Sequence, residues 1–182
     1  MKPWKRIEPT VVSKVGYRTI ITKTFTMPDG AVKHFQTIDP EESQAAAILA
    51  ITEDGKVIVC RQYRAGPDMV MDEIPGGGVN DGEPLEDGAR RELLEETGYE
   101  PGAIDYLGVM HYSAYDNCAR HCFLATGCKL SADRAQKDAE EFIELRLISV
   151  DELLANAKAG RMTDPGAVLL AYDKLMALKE GK

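Results

Sequence analysis

Three glutamates carry the first chemical signal in this sequence: Glu92, Glu95 and Glu96, spaced i, i+3 and i+4. In a helix, at about 100° per residue, their carboxylates fall within one arc of about 100°. Like charges so placed repel by about 0.2–0.5 kcal/mol per pair. They also stand in the C-terminal half of the helix they would share, where the dipole disfavours anions. Leu85 falls in the same arc, with Ala89 and Leu93 beside it, so the carboxylates border the buried side. Such a face suits a hard divalent cation, Mg²⁺ or Mn²⁺, which keeps waters and takes phosphate oxygens as further ligands. Taken alone, the helix fits equally well a charged surface element with Arg90 and Arg91 as partners.

The residues before the helix bear on that choice. Gly76-Gly77-Gly78 lets backbone come close to a ligand, and Pro84 suits the first turn of a helix that Gly98 can close. The string Gly77-x5-Glu83-x7-Arg91-Glu92-Leu93-x-Glu95-Glu96-x-Gly98-Tyr99 resembles the whole signature of the Nudix hydrolases, G-x5-E-x7-R-E-U-x-E-E-x-G-U, with Tyr99 slightly unusual at its last apolar position.

The resemblance implies an α+β fold, the α/β/α Nudix sandwich, in which this loop and helix hold Mg²⁺ or Mn²⁺ and water attacks a nucleoside diphosphate linked to another moiety. It implies Glu92 and Glu96 as the main metal ligands, Glu95 as ligand or base, and the Gly76 carbonyl as a further ligand. Arg91 would make an orienting ion pair with Glu83 or a helix glutamate, and Leu93 would be core. Attack on an anionic pyrophosphate needs its oxygens neutralised and its reactants aligned, more than covalent help from protein.

The flanks resemble a subgroup, the ADP-ribose and nucleoside diphosphate sugar pyrophosphatases. Arg61-Gln-Tyr-Arg64 before Glu73-Ile-Pro-Gly-Gly77 matches the segment preceding the box there, and Asp138-Ala-Glu-Glu141-Phe-Ile-Glu144 matches an acidic loop that supplies a catalytic base. Glu140 and Glu141 are therefore base candidates beside Glu95. Arg64 is the candidate phosphate-binding fork, with Arg61 and Glu73 beside it. Trp4 and Tyr17 are candidates to stack on a base, from a partner subunit if the chain is a homodimer as the subgroup implies. The subgroup's downstream turn with Pro and Gly is replaced by His111-Tyr-Ser-Ala-Tyr-Asp-Asn-Cys118. A hexose in place of ribose phosphate is compatible with that change, and His111 and Tyr115 are candidates for its hydroxyls. Two other functions compete: a housecleaning hydrolase of nucleoside triphosphates or dinucleoside polyphosphates, and a nucleotide-sugar sensor without catalysis, which should have lost some of the glutamates kept here.

These residues need elements to hold them. Residues 10 to 38 are rich in Val, Ile, Thr, Tyr and Phe, favoured on a pleated surface. Met27-Pro28-Asp29-Gly30 supplies the turn of a hairpin, 17–26 with 31–37. Asp39-Pro40 breaks the pattern, so residues 1–40 read as an N-terminal antiparallel β region used in dimerisation and 41–182 as the catalytic domain. Extended stretches follow at 45–51, 56–61 and 70–74, the helix at 84–97, and further strands at 104–110, 121–125 and 142–148. Ser149-Val-Asp-Glu152 is a capping-box signature for a helix to about Lys158. Thr163-Asp164-Pro165 opens a last helix with Val168, Leu169, Tyr172, Leu175 and Met176 as its apolar stripe.

Composition narrows the partners. The 182 residues carry 30 Asp+Glu against 22 Lys+Arg, a net charge of −8. That sign argues against nucleic acid or anionic lipid as a partner, and no run approaches the ~18 apolar residues of a membrane span. The first residues lack the apolar core of a secretory signal, and four cysteines are too few for a disulfide framework in a chain this long. A cytoplasmic setting with reduced thiols is expected. Cys118-x3-Cys122 near His111 and His121 fits no common paired zinc knuckle.

Overall fold

The Val- and Thr-rich N-terminal stretch forms a three-stranded antiparallel sheet of β1 (Lys5–Val15), β2 (Arg18–Thr26) and β3 (Val32–Ile38), in the order β1-β2-β3. The computed structural model describes residues 1–132 and 142–181. Its chain divides into two units, Met1–Gln44 with His111–Ala119, and Ala45–Met110 with Arg120–Lys182.

In the first unit the expected hairpin is present, closed where Met27 N–H reaches Ala31 O at 2.7 Å and Gly30 adopts φ 86°. Strand β1 was not anticipated. Its ladder with β2 shifts register between Ile7 and Val11, around Pro9, which has no N–H to donate. Trp4 stacks on Phe35 at 5.3 Å between ring centroids and meets Phe25 edge-on at 6.0 Å. The segment 111–119 joins this unit through Asn117, whose side chain donates to Thr37 Oγ1 and Asp39 O and accepts from Lys23 Nζ. Lys23 and Arg6 also pair with Glu41 and hold its carboxyl down at about 2, the Arg6 hydrogen bond being the larger cause.

The second unit is built on a mixed sheet. Its strands are β4 (Gln44–Thr52), β5 (Val57–Arg64), β6 (Met69–Glu73), β7 (Tyr99–Glu100), β8 (Ala103–Met110), β9 (Ala119–Leu130) and β10 (Glu144–Ile148). The order is β10-β5-β4-β9-β7, with β6 pairing β5 and β8 pairing β9. Its helices are α1 (Leu85–Thr97), α2 (Val150–Lys158), α3 (Pro165–Leu170) and α4 (Tyr172–Glu180). Strand β4 is apolar on both faces and sorts its side chains by the period of two. Ala46, Ile48 and Ala50 pack with Ile58, Phe123, Ala89 and Leu93 on the α1 side. Ala47, Leu49 and Ile51 pack with Val57, Val59, Leu153, Val168 and Leu175 on the side of α2 to α4. The unit is the expected α+β sandwich, with helices on both faces.

Two local expectations are corrected. The last helix is interrupted at Ala171, and its buried stripe is Ala167, Val168, Ala171 and Leu175, whereas Leu169 is 75% and Tyr172 43% exposed. Alanines, invisible to a search for large apolar residues, set the close side. At α2, Ser149 Oγ accepts from Glu152 N–H, but the Glu152 carboxylate turns to Arg146 instead of completing the capping box. Among the described residues, no helix is long and apolar enough to cross a membrane. All four cysteines are free thiols.

Candidate active site

The loop 74–78 runs along the start of β4, which holds it by backbone. Ala46 N–H donates to Gly77 O at 2.9 Å and Ile48 N–H to Pro75 O at 2.8 Å. The approach is so close that a Cβ on Gly76 would stand 2.2 Å from Ala46 O and 2.9 Å from Ala47 Cα. A glycine is required at that position by backbone on the far side.

Helix α1 lies over this loop because Ala89 and Leu93, both fully buried, seat it on the sheet. It starts after Pro84 and ends at Gly98, whose φ of 75° is the left-handed closing conformation. The three glutamates then differ. Glu92 lies beneath Gly77, where an added Cβ would fall 2.5–2.7 Å from its carboxylate atoms. Glu96 Oε2 accepts from Gly76 N–H at 3.1 Å and from the Cys60 thiol at 3.7 Å. Glu95 is half exposed. Two carboxylates one turn apart thus converge on two consecutive loop residues, and the third faces solvent beside them.

Arg91 ties the site together. Its guanidinium donates to Glu83 at 2.9 and 3.1 Å, to Glu92 at 2.7 Å, to Glu95 at 3.0 Å and to Gly78 O at 2.9 Å. It pairs with Glu83 and with two helix glutamates at once, where the sequence left a choice between them. The Arg91 guanidinium, helped by Asn80 N–H, holds the Glu83 carboxyl at about 2. Burial pushes the Glu92 carboxyl above the usual range, against the pull of Arg91. Among the described residues, no three His, Cys, Asp or Glu side chains stand close enough together to hold a metal ion by themselves.

The flanking residues lie on the β5–β6 hairpin, where Cys60 stands opposite Glu73 and Arg61 opposite Asp72. Arg64 makes a two-pronged contact with the buried Glu73 carboxylate, which Gln62 also reaches at 3.3 Å. Glu73 therefore orients Arg64, which stays 46% exposed at its side chain. Arg61 is engaged differently, donating to the buried Asp72 at 2.8 Å. Asp72 was not singled out by sequence, and neither was Cys60; no local spacing marks either. Trp4, Tyr17, His111 and Tyr115 belong to the first unit. There Tyr17 is 91% and Tyr115 57% exposed, and Arg18 lies over the Tyr17 ring at 5.2 Å. Glu140 and Glu141 lie outside the described residues.

Comparison with known proteins identifies the family. A NUDIX domain model matches residues 42–168. A methanol dehydrogenase activator from Bacillus methanolicus is 33% identical over 126 residues, 69% of this chain and 68% of that protein. An ADP-ribose pyrophosphatase from Bacillus subtilis (strain 168) is 31% identical over 121 residues, 66% of this chain and 65% of that protein. The chain thus matches about two thirds of the length of each of these relatives. A crystal structure of an ADP compounds hydrolase superposes with a TM-score of 0.79 over 97% of this chain and 96% of that one, at 17% identity, a likeness of fold. With the signature laid on a loop and helix in this sandwich, and the domain match spanning most of the second unit, the chain belongs to the NUDIX domain family, the Nudix hydrolases.

Proposed function

We propose that this chain is an Mg²⁺-dependent pyrophosphohydrolase of nucleoside diphosphate sugars of the ADP-ribose type, releasing a nucleoside monophosphate and a sugar phosphate. The observation that carries the reading is the convergence of Glu92 and Glu96 on Gly76 and Gly77, fixed from outside by Arg91. Similarity to an ADP-ribose pyrophosphatase supports the substrate class. The donor set fits a hard divalent cation. Glu92 is a desolvated carboxylate, which gains from a nearby positive charge, and Glu92, Glu95, Glu96 and the Gly76 carbonyl would offer oxygen ligands suited to Mg²⁺ or Mn²⁺. When bound, the cation would supply charge that neutralises pyrophosphate oxygens and acidifies an attacking water.

The chain's own residues do the rest of the work in this reading. Arg64, oriented by Glu73, presents its guanidinium to phosphate oxygens. Glu95, half exposed, is a candidate to accept the water's proton, with Glu140 and Glu141 as the other candidates. Trp4 and Tyr17 are assigned to the base, and His111 and Tyr115 to the sugar. The exposed Val11, Val12 and Val15 of β1 are assigned to a homodimer contact, which sedimentation at micromolar concentration checks.

Incubation with ADP-ribose, ADP-glucose, GDP-mannose and UDP-glucose is expected to give cleavage of at least one with Mg²⁺ and none with excess chelator. Cleavage of nucleoside triphosphates or dinucleoside polyphosphates alone would overturn the substrate class. Two glycine variants test the loop. Gly77→Ala first meets the movable end of Glu92, so it should keep its stability and lose about a hundredfold in kcat through misplacement of that carboxylate. Gly76→Ala meets the backbone of β4 and should lose about 2 kcal/mol of stability by overpacking. Calorimetry and product release on both variants separate the two effects, and equal behaviour would refute the distinction.

A further inference from the structure

Cys60 is 1% exposed and is used by none of the steps above. It sits on β5 after Ile58, with its side chain on the sheet face that α1 covers, opposite Glu73 in the β5–β6 ladder. Its thiol lies 3.7 Å from Glu96 Oε2, within the range of a sulfur hydrogen bond, and the same oxygen accepts Gly76 N–H at 3.1 Å. The two donors come from different elements, one from β5 and one from the loop, so together they fix the end of the Glu96 side chain on two sides.

From this contact we infer that Cys60 is a positioning residue for the cation: it sets the orientation of the Glu96 carboxylate through its S–H. The inference rests on the reading of Glu96 as a cation ligand. The physical reason for a thiol is the weakness of its donor. An ammonium or guanidinium at position 60 would neutralise Glu96 and compete with the cation for it. A hydrocarbon would remove the donor that β5 supplies and keep, of these two, only the hold from the loop side at Gly76 N–H. A thiol orients the oxygen while leaving the negative charge in place. Groups that hold a ligand from behind in this manner commonly contribute ten- to a hundredfold, ~10–100, to metal affinity.

Binding of Mn²⁺ alone, followed by loss of the free-ion signal in electron paramagnetic resonance, tests this without turnover. Cys60→Val, close in volume and without a donor, is expected to weaken Mn²⁺ binding about tenfold, and Cys60→Ser to restore it to within about twofold of the native protein. A purely structural role would instead lower the melting temperature of Cys60→Val without this recovery in serine, since serine is the poorer core residue. Native-like Mn²⁺ affinity in Cys60→Val, with Glu96→Gln weakened, would overturn the inference alone. Native-like affinity in Glu96→Gln as well would overturn it together with the cation site on which it rests.

Discussion

Replacing Glu96 with glutamine is expected to lower kcat about a thousandfold while the melting temperature shifts by no more than about 2 °C. The amide keeps the shape of the carboxylate and still accepts the Gly76 N–H bond, now made at 3.1 Å. It cannot match the charge. A cation that stabilises developing charge on a phosphoryl group contributes several kcal/mol, and each ~1.4 kcal/mol lost is tenfold in rate. Stability should change little because α1 is seated by Ala89 and Leu93, which are fully buried, and not by its glutamates. Steady-state kinetics at saturating Mg²⁺, with calorimetry on the same sample, reads both quantities. An unchanged kcat would remove Glu96 from the site; a fall in melting temperature matching the loss of activity would make its role structural.

The second large effect lies away from the chemistry. Asp72→Ala is expected to destabilise the protein by about 3 kcal/mol, the low end of the range for breaking a buried ion pair. Asp72 is 3% exposed, and its carboxylate accepts from Arg61 Nε at 2.8 Å, Arg146 at 3.0 Å and Asn156 Nδ2 at 2.8 Å. Its backbone N–H donates to Arg161 O at 3.0 Å, so β6 and the turn after α2 are joined at the same residue. Alanine would leave two guanidinium groups facing each other without their shared acceptor. The figure stays at the low end because both arginines reach solvent, with side chains 37% and 25% exposed, and Arg146 keeps Glu152. A fall of roughly 6–12 °C in the melting temperature follows for a chain of this size. A loss below about 1 kcal/mol would show that the arginines are solvated well enough to stand alone.

These two residues also mark how far the sequence could be read. Glu96 was legible because helical spacing alone puts it on one face with Glu92 and Glu95, and because the glycine run and the Glu83–Arg91 separation surround it in a recognisable order. Asp72 was not, because its partners Arg146 and Asn156 are 74 and 84 residues away. Arg61 illustrates the consequence: the sequence grouped it with Arg64 near the phosphates, whereas the fold turns it to Asp72. Asn117 is a parallel case in the first unit, its bond to Lys23 spanning 94 residues. Strand β1 was hidden by Pro9 and by exposed valines that gave no alternation. The break at Ala171 was hidden because alanine carries no apolar signal of its own.

What the sequence determined by itself is therefore the local chemistry: a glycine loop, a helix closed by Gly98, and three carboxylates sharing one face of it. Helical geometry fixes side-chain directions within a few residues, so no tertiary information is needed for that much. Only the tertiary structure decided how the three glutamates differ. Packing of α1 on the sheet placed Glu92 under Gly77 and Glu96 between Gly76 and Cys60, and left Glu95 half exposed beside Arg91. The difference between them is one of burial and of donors brought from β5 and the loop, and those contacts exist only once distant strands have been packed together.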